Sequence, residues 1–242
     1  MTEQQQPPSS ELSLDEILDR YENDDEDQGE RRNPFKFLDS YGPEDEDIFF
    51  GRDAEIEEAL RHYYRKKHFV LYGESGSGKT SLIQCGLRAQ LAEEDADFIT
   101  LRSHYNPLEH LSRVLSDRLQ DGNRNRTLQQ GLKDLADAES RTIVLLFDQF
   151  EELFIYHAPE TRRRVAEQLN ELLATKLNIK LIFVIRQEYL AHLTELEWHV
   201  ASLFENRLWL RRMSDEDAEA VVENACEACE VGIEPGLART LI

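Results

Sequence analysis

The sequence predicts an α/β fold with a parallel five-stranded sheet that is flanked by helices. Short apolar runs alternate along the chain with longer stretches of helical periodicity, which is typical of a parallel sheet covered on both faces. A chain of 242 residues, 40% of them hydrophobic, is long enough for one sizeable core and a small appendage. No repeat of solenoid period interrupts the pattern.

Three segments differ in composition. Residues 1–32 are rich in Gln, Pro, Ser and acidic residues, so we expect an acidic, mostly disordered leader. Within it, residues 13–16 resemble a capping box that could open a transient helix or a docking element. From Asn33 aromatic and turn residues mix. We therefore predict a folded core over residues 33–212 and the beginning of a small helical lid subdomain over residues 213–242.

The strands are recognised as short apolar runs bounded by polar or turn residues. The clearest are IVLLF and KLIFVI, which contain no alternation and therefore indicate strands buried on both faces. Strands are predicted over residues 67–72, 97–101, 143–147, 180–185 and 208–210.

The helices are recognised by apolar residues at a period near 3.6. In the stretch 160–176, for example, Val165, Leu169 and Leu173 fall on one helical face. Helices are predicted from about residue 53 onward, and over residues 79–93, 107–120, 127–138 and 160–176. The turn-rich residues 121–125 separate the third helix from the fourth.

The charge balance bears on possible partners. Acidic residues outnumber basic ones 49 to 28, for a formal net charge of -21, and much of the excess lies in the first 50 residues. A net negative field repels phosphate backbones, so nucleic acid is not expected as a partner. Local basic runs at residues 61–67 and 162–164 are the only sequence features that favour it.

The expected location is the cytoplasm. No run approaches the roughly 20 apolar residues of a membrane span, and the N-terminus lacks the features of a signal peptide, so no membrane partner is expected. The chain has three cysteines, and Cys85 is distant in sequence from Cys226 and Cys229. This usage does not suit a disulfide framework and indicates a reducing compartment.

The strongest motif is the P-loop GESGSGKT at residues 73–80, which matches GxxxxGK[ST] between a predicted strand and a predicted helix. Backbone N–H groups of such a loop surround phosphates, the lysine reaches the β and γ oxygens, and the hydroxyl ligates Mg²⁺. The motif predicts binding of ATP or ADP with Mg²⁺, although it does not exclude GTP. The predicted nucleotide-binding residues of this loop are Gly73, Glu74, Ser75, Gly76, Ser77, Gly78, Lys79, Thr80 and Ser81.

Three acidic residues and one arginine follow two later strands. Asp148 ends an apolar run and is predicted to hold Mg²⁺ together with Thr80. Either Glu151 or Glu152 is expected to orient an attacking water, with a slight preference for Glu152, while the other is a solvated acid of the first helical turn. Arg186 ends the next apolar strand, where it could contact the γ-phosphate or remain solvated.

Four ordered motifs resemble those of the bacterial STAND NTPases: FFGRDAE, GESGSGKT, LLFDQFEELF and FVIR. The leading NPF and the DQFEELF segment are most similar to the novel-STAND branch, often described as conflict-system ATPases and related to AAA+ proteins. The resemblance implies that Gly51 and Arg52 border the adenine site, that Asp148 is the Walker B aspartate, that Glu151 and Glu152 are the catalytic acidic pair, and that Arg186 is sensor 1. It also implies a switch that exchanges ADP for ATP, self-associates and activates an effector protein.

The sequence departs from the family pattern after the fifth predicted strand. Residues 211–214, RRMS, stand where many STAND proteins carry a Gly-x-Pro segment that contacts nucleotide. Closure of this segment over the base is therefore not predicted. Winged-helix and sensor repeats are missing, so we expect a truncated or minimal form of the family's architecture.

Three functions are therefore compatible with the sequence. The first is a STAND signalling ATPase with slow, Mg²⁺-dependent hydrolysis that acts in antiviral defence or in regulated oligomerisation. The second is an AAA+ DNA-associated ATPase of the origin-recognition or transposition-regulator type, which the acidic composition disfavours. The third is a scaffold that nucleotide stabilises with negligible turnover.

Overall fold

The computed structural model describes residues 33–36, 39–92, 96–120, 126–200, 203, 205–234 and 236–241. The predicted leader over residues 1–32, with its capping box at residues 13–16, lies outside the described residues. The predicted turn at residues 121–125 lies outside them as well.

The centre of the fold is a five-stranded sheet with the order β2-β3-β4-β1-β5, in which every recorded strand pair is parallel. This topology confirms the predicted fold class. The predicted strands are all present, and each end differs from the prediction by one residue. Their bounds are β1 His68–Gly73, β2 Ala96–Arg102, β3 Thr142–Asp148, β4 Ile179–Arg186 and β5 Arg207–Trp209.

Helices cover both faces of this sheet. The second helix, α2, comprises Lys79–Ser81, a π-helical stretch Leu82–Leu87 and Arg88–Ala92. Two 3₁₀ helices, Pro43–Ile48 and Gln187–Leu193, complete the described elements. The other helices are α1 Asp53–Arg65, α3 Pro107–Leu119, α4 Leu128–Glu139, α5 Glu152–Tyr156, α6 Pro159–Ala174, α7 Thr194–Glu197, α8 Asp215–Ala228 and α9 Leu237–Leu241.

The helices that sequence periodicity missed are the short ones. α5, α7 and both 3₁₀ helices span at most seven residues. Such segments complete no more than about two turns, so they carry too little periodic signal to be separated from loops. The longer α3 and α4 were predicted, and each begins at a side-chain cap, Asn106 and Thr127 respectively.

The core lies on both faces of the sheet, which explains the uninterrupted apolar strands. In β3, Ile143, Leu145 and Phe147 belong to the cluster that α3, α4 and α6 cover, whereas Val144 and Leu146 belong to the cluster that α1 and α2 cover. Successive strand residues point to opposite faces, so both sets of side chains must be apolar.

The parallel order brings three chain segments to one edge. β1 ends at Gly73, which pairs in register with Arg186 at the end of β4, and β3 ends at Asp148 in the strand next to β4. The P-loop therefore emerges beside the residues that follow β3 and β4. Within the described part of the chain, no helix has both the length and the apolar character needed to cross a bilayer.

Candidate nucleotide-binding site

The P-loop connects β1 to α2 in a conformation that requires glycine at particular positions. Gly76 and Gly78 have φ of 75° and 88°, in the left-handed region that other residues rarely adopt. A Cβ on Gly73 would lie 2.3 Å from the carbonyl oxygen of Leu210. The loop therefore begins in close contact with the segment after β5, and it leads directly into α2 at Lys79.

Lys79 is the buried cation of this loop, with 9% of its surface exposed. Its Nζ donates to the carbonyl oxygens of Gly73 at 3.1 Å and Glu74 at 2.6 Å. Burial lowers the pKa of Lys79, and the nearby Glu151 carboxylate partly opposes that effect. The ammonium group is thus held against the backbone of the loop it belongs to.

Thr80 and Asp148 are joined by a hydrogen bond. The Thr80 hydroxyl donates to Oδ1 of Asp148 at 3.1 Å, and the Asp148 carboxylate is almost completely buried. The backbone N–H of Gln149 donates to the same Oδ1 at 3.0 Å, and the Arg102 guanidinium lies 3.7 Å from Oδ2. The two side chains predicted to bind Mg²⁺ therefore present oxygen atoms at one place, and oxygen is the donor that Mg²⁺ prefers.

Glu151 is buried at the same edge of the sheet, with 4% of its surface exposed. Its Oε1 lies 3.1 Å from Nε of Arg186, and its Oε2 accepts a hydrogen bond of 3.2 Å from the backbone N–H of Arg186. Burial raises the pKa of Glu151, while hydrogen bonds from backbone N–H groups and the charges of Arg186 and Lys79 oppose the rise. The carboxylate is therefore held in one orientation by the end of β4.

Glu152 is placed differently from Glu151. It begins α5, it does not line the cleft described below, and its buried Oε2 has no hydrogen-bond partner among the described residues. Neighbouring helical residues differ by about 100° around the axis, so only one of two consecutive acids can face a given site. The placement favours Glu151 as the acid of the cleft, contrary to the slight preference for Glu152 from sequence.

These groups line one cleft of about 500 Å³. Several lining residues were not anticipated from sequence: Asp39, Ser40, Tyr41, Gln149 and Val184. Gln149 adjoins Asp148 and adopts a φ of 52°, which is unusual for a residue other than glycine. The predicted residues that the structure brings together here are Ser75, Gly76, Gly78, Lys79, Thr80, Ser81, Asp148, Glu151 and Arg186.

A second cavity of about 260 Å³ adjoins the cleft and is mainly apolar. Arg52 lines it and donates to the carbonyl oxygens of Ser77 at 3.0 Å and Arg211 at 3.1 Å. The guanidinium of Arg52 thus joins the P-loop to the segment after β5. The apolar lining comes from Ile48, Phe49, Phe50, Met213 and Val221.

Gly51 does not line this cavity, but it is close to Val221, which does. Its φ is 73°, and a Cβ there would come within 2.5 Å of Cγ2 of Val221 in α8. Arg212 and Met213 belong to the segment whose closure was not predicted from sequence, yet both line the cavity. Arg212 and Met213 therefore stand at the cavity where the family pattern led us to expect other residues.

The three remaining P-loop residues do not line the cleft. Ser77 lines the second cavity, whereas Gly73 and Glu74 line neither. The Glu74 carboxylate forms an ion pair with Arg212, with 2.6 Å between Oε2 and Nε. This contact again links the P-loop to the segment after β5.

The parallel sheet and the P-loop site define a P-loop NTPase. The sequence profile of the family Novel STAND NTPase 1 (nSTAND1) matches residues 34–242. The chain belongs to this family, which confirms the resemblance seen in the sequence motifs. A comparison with curated proteins finds no match.

Three solved structures illustrate the similarity of the fold. The Walker-type ATPase PABY2304 of Pyrococcus abyssi has a TM-score of 0.62 at 13% identity, over 86% of this chain and 66% of that one. The Aeropyrum pernix ORC2 protein, solved with ADPNP and ADP, has a TM-score of 0.55 at 16% identity, over 73% and 52% of the two chains. The Aeropyrum pernix ORC1 protein in complex with DNA has a TM-score of 0.56 at 17% identity, over 81% and 55%. This chain thus spans between 52% and 66% of these proteins, and at such identities the likeness concerns the fold alone.

Proposed function

We propose that this protein binds ATP with Mg²⁺ in the cleft at the P-loop and hydrolyses it. The observation that carries the proposal is that three kinds of group line one cleft. They are the cation of Lys79, the hydrogen-bonded side chains of Thr80 and Asp148, and the buried carboxylate of Glu151. Each of these groups performs a separate task in phosphoryl transfer, so their proximity favours catalysis over simple binding.

The triphosphate is bound by the loop and by cations. Backbone N–H groups around Gly76 and Gly78 and the ammonium of Lys79 neutralise the phosphate oxygens. Thr80 and Asp148 are the residues that would hold Mg²⁺, because their oxygens already lie 3.1 Å apart. A bound Mg²⁺ withdraws charge from the β and γ phosphates.

Glu151 is the proposed general base. Its raised pKa makes the carboxylate a better proton acceptor than an ordinary glutamate. In the proposed step, water gives a proton to Glu151 while the oxygen of the water attacks the γ phosphorus. The bond to the β–γ bridging oxygen breaks, and ADP leaves with that electron pair. Arg186, which contacts Glu151, would stabilise the charge on the γ phosphate.

A Mg²⁺ titration of phosphate release tests this proposal. Wild-type protein should release phosphate from ATP only when Mg²⁺ is added. The Asp148→Asn variant keeps the shape of the side chain but loses its charge, so its ATP binding should no longer tighten with Mg²⁺. If Asp148→Asn responds to Mg²⁺ as wild type does, the metal ligand lies elsewhere.

We further propose that hydrolysis resets a cytoplasmic switch, in line with the family. The ATP-bound form would self-associate or engage an effector protein, and the proposed setting is antiviral defence. A variant that binds ATP without hydrolysing it should then self-associate with ATP more than wild type does. Light scattering after gel filtration, with Glu151→Gln, wild type and Lys79→Ala, checks this expectation.

A DNA-associated ATPase is the second candidate. The similarity to the Aeropyrum pernix ORC1 protein in complex with DNA favours it, although that similarity concerns the fold. The net charge of -21 disfavours it, because DNA binding normally requires a basic surface. Salt-dependent binding to duplex DNA at physiological ionic strength would support the second candidate over the first. Absence of phosphate release would instead support a scaffold that nucleotide stabilises.

A further inference from the structure

The phosphate cleft and the apolar cavity share part of their lining. Four residues border both of them: Tyr41, Gly76, Gly78 and Ser81. If the proposed function is correct, phosphates occupy the cleft and the base occupies the apolar cavity. The sugar that connects them must then pass these four residues.

Among the four, Tyr41 alone has a ring that can pack against a sugar. Gly76 and Gly78 have none, and the Ser81 hydroxyl accepts a hydrogen bond of 3.1 Å from the backbone N–H of Tyr41. Tyr41 carries a ring that lies 5.7 Å from the ring of Phe49, centroid to centroid, and Phe49 lines the apolar cavity. The Tyr41 ring therefore stands at the junction of the two cavities.

Tyr41 is held at both ends. Its backbone is bonded to Ser81 at the start of α2, and its hydroxyl donates to the carbonyl oxygen of Pro34 at 2.8 Å. These contacts restrict the ring before any ligand arrives, which lowers the ordering cost of binding. The sugar of a nucleotide presents C–H groups that can pack against such a ring.

We propose that Tyr41 is a further nucleotide-binding residue whose ring contacts the sugar, so that Asp39, Ser40 and Tyr41 form a wall of the site. This inference rests on the proposed function. It extends the site to the segment before the Phe49–Arg52 motif, a segment that no P-loop motif includes.

Isothermal titration with three ligands tests the inference. ATP and ADP contain the sugar, whereas inorganic tripolyphosphate contains only the phosphates. Tyr41→Ala should bind ATP and ADP about tenfold more weakly, equivalent to about 1.4 kcal/mol, and should bind tripolyphosphate as wild type does. Tyr41→Phe retains the ring, so its affinities for ATP and ADP should stay within about twofold of wild type. Ser81→Ala removes the hydrogen bond to the Tyr41 backbone and should weaken ATP binding less than Tyr41→Ala does.

Controls separate this inference from the proposed function. Tyr105→Ala removes a tyrosine that is 66% exposed and lines neither cavity, so it should leave all three affinities unchanged. Lys79→Ala should lose binding of both ATP and tripolyphosphate. That loss would support the phosphate site even if Tyr41 does not contribute to binding.

The inference is overturned if Tyr41→Ala binds ATP within twofold of wild type. Equal losses of ATP and tripolyphosphate would also overturn it, because Tyr41 would then act through the P-loop or the fold. A loss in Tyr41→Phe as large as that in Tyr41→Ala would overturn the role of the ring.

Discussion

The phosphate cleft and the neighbouring apolar cavity are built in different ways. The cleft takes most of its functional groups from one continuous loop and from the ends of β3 and β4. The cavity combines Phe49 and Arg52 before the P-loop with Met213 and Val221 after β5. One region thus depends on local chain geometry, and the other depends on how distant segments pack. Substitutions in the cleft should therefore change phosphate binding or hydrolysis, whereas substitutions around the cavity should change affinity for the nucleoside.

The largest effect is expected from removing the cleft's cation. Lys79→Ala should abolish measurable ATP binding, because Lys79 is the P-loop side chain that neutralises the β and γ phosphates. Isothermal titration with Mg²⁺ present measures the ATP affinity. Lys66→Ala is a matched control, since Lys66 pairs with Glu205 outside both cavities. Wild-type affinity in Lys79→Ala would show that the cleft does not hold the triphosphate.

The second effect distinguishes two adjacent acids. Glu151→Gln should slow phosphate release by roughly 10² to 10⁴ while ATP still binds, because an amide keeps the shape but cannot accept the proton. Glu152→Gln is the matched control and should retain turnover within a few-fold of wild type. Slow turnover in Glu152→Gln with near-normal turnover in Glu151→Gln would instead support Glu152, the acid that the sequence slightly favoured. Near-normal turnover in both variants would mean that neither acid is the base.

The third effect concerns the apolar cavity. Gly51→Ala should weaken ATP binding several-fold but leave tripolyphosphate binding intact. A non-glycine residue at a φ of 73° costs roughly 1 to 2 kcal/mol, and its Cβ would come within 2.5 Å of Val221. Gly232→Ala is the control, because a Cβ at Gly232 meets no atom within 4 Å. Unchanged ATP affinity in Gly51→Ala, measured by titration, would mean that Gly51 and α8 do not shape the base site.

The smallest effect is a pH-dependent change in stability. Burial raises the folded-state pKa of Glu151, so folding disfavours the ionised carboxylate. Below the unfolded pKa of about 4.3 both states are protonated and no cost arises, whereas the cost is complete above the folded pKa. Glu151→Gln should therefore raise the Tm at pH 8, by on the order of 2 °C, and the gain should shrink as the pH falls toward 5.

Differential scanning fluorimetry across that pH range provides the measurement. Glu57→Gln, which alters an exposed carboxylate on α1, should shift the Tm little at any of these pH values. A gain for Glu151→Gln that grows on acidification would contradict the assigned direction of the pKa change.

Much of the cleft could be predicted because its determinants are local. The P-loop is contiguous, and Asp148 and Arg186 each end an apolar strand, so a parallel sheet places them at one edge. The choice between Glu151 and Glu152 could not be predicted, since a shift of one residue rotates the side chain by about 100°. The tertiary structure separates the two acids, because Glu151 lines the cleft and pairs with Arg186 whereas Glu152 does not line it.

By itself, the sequence determined the fold class, the five strands and the phosphate-binding loop, because hydrophobic period and glycine spacing act over a few residues. The tertiary structure decided which residues line the apolar cavity. Tyr41, Met213 and Val221 have no shared motif, and they meet only because the segment before the P-loop and the segment after β5 pack on the same side of α2. Contacts between residues that far apart in sequence depend on the packing of the whole chain, which no short window of sequence encodes.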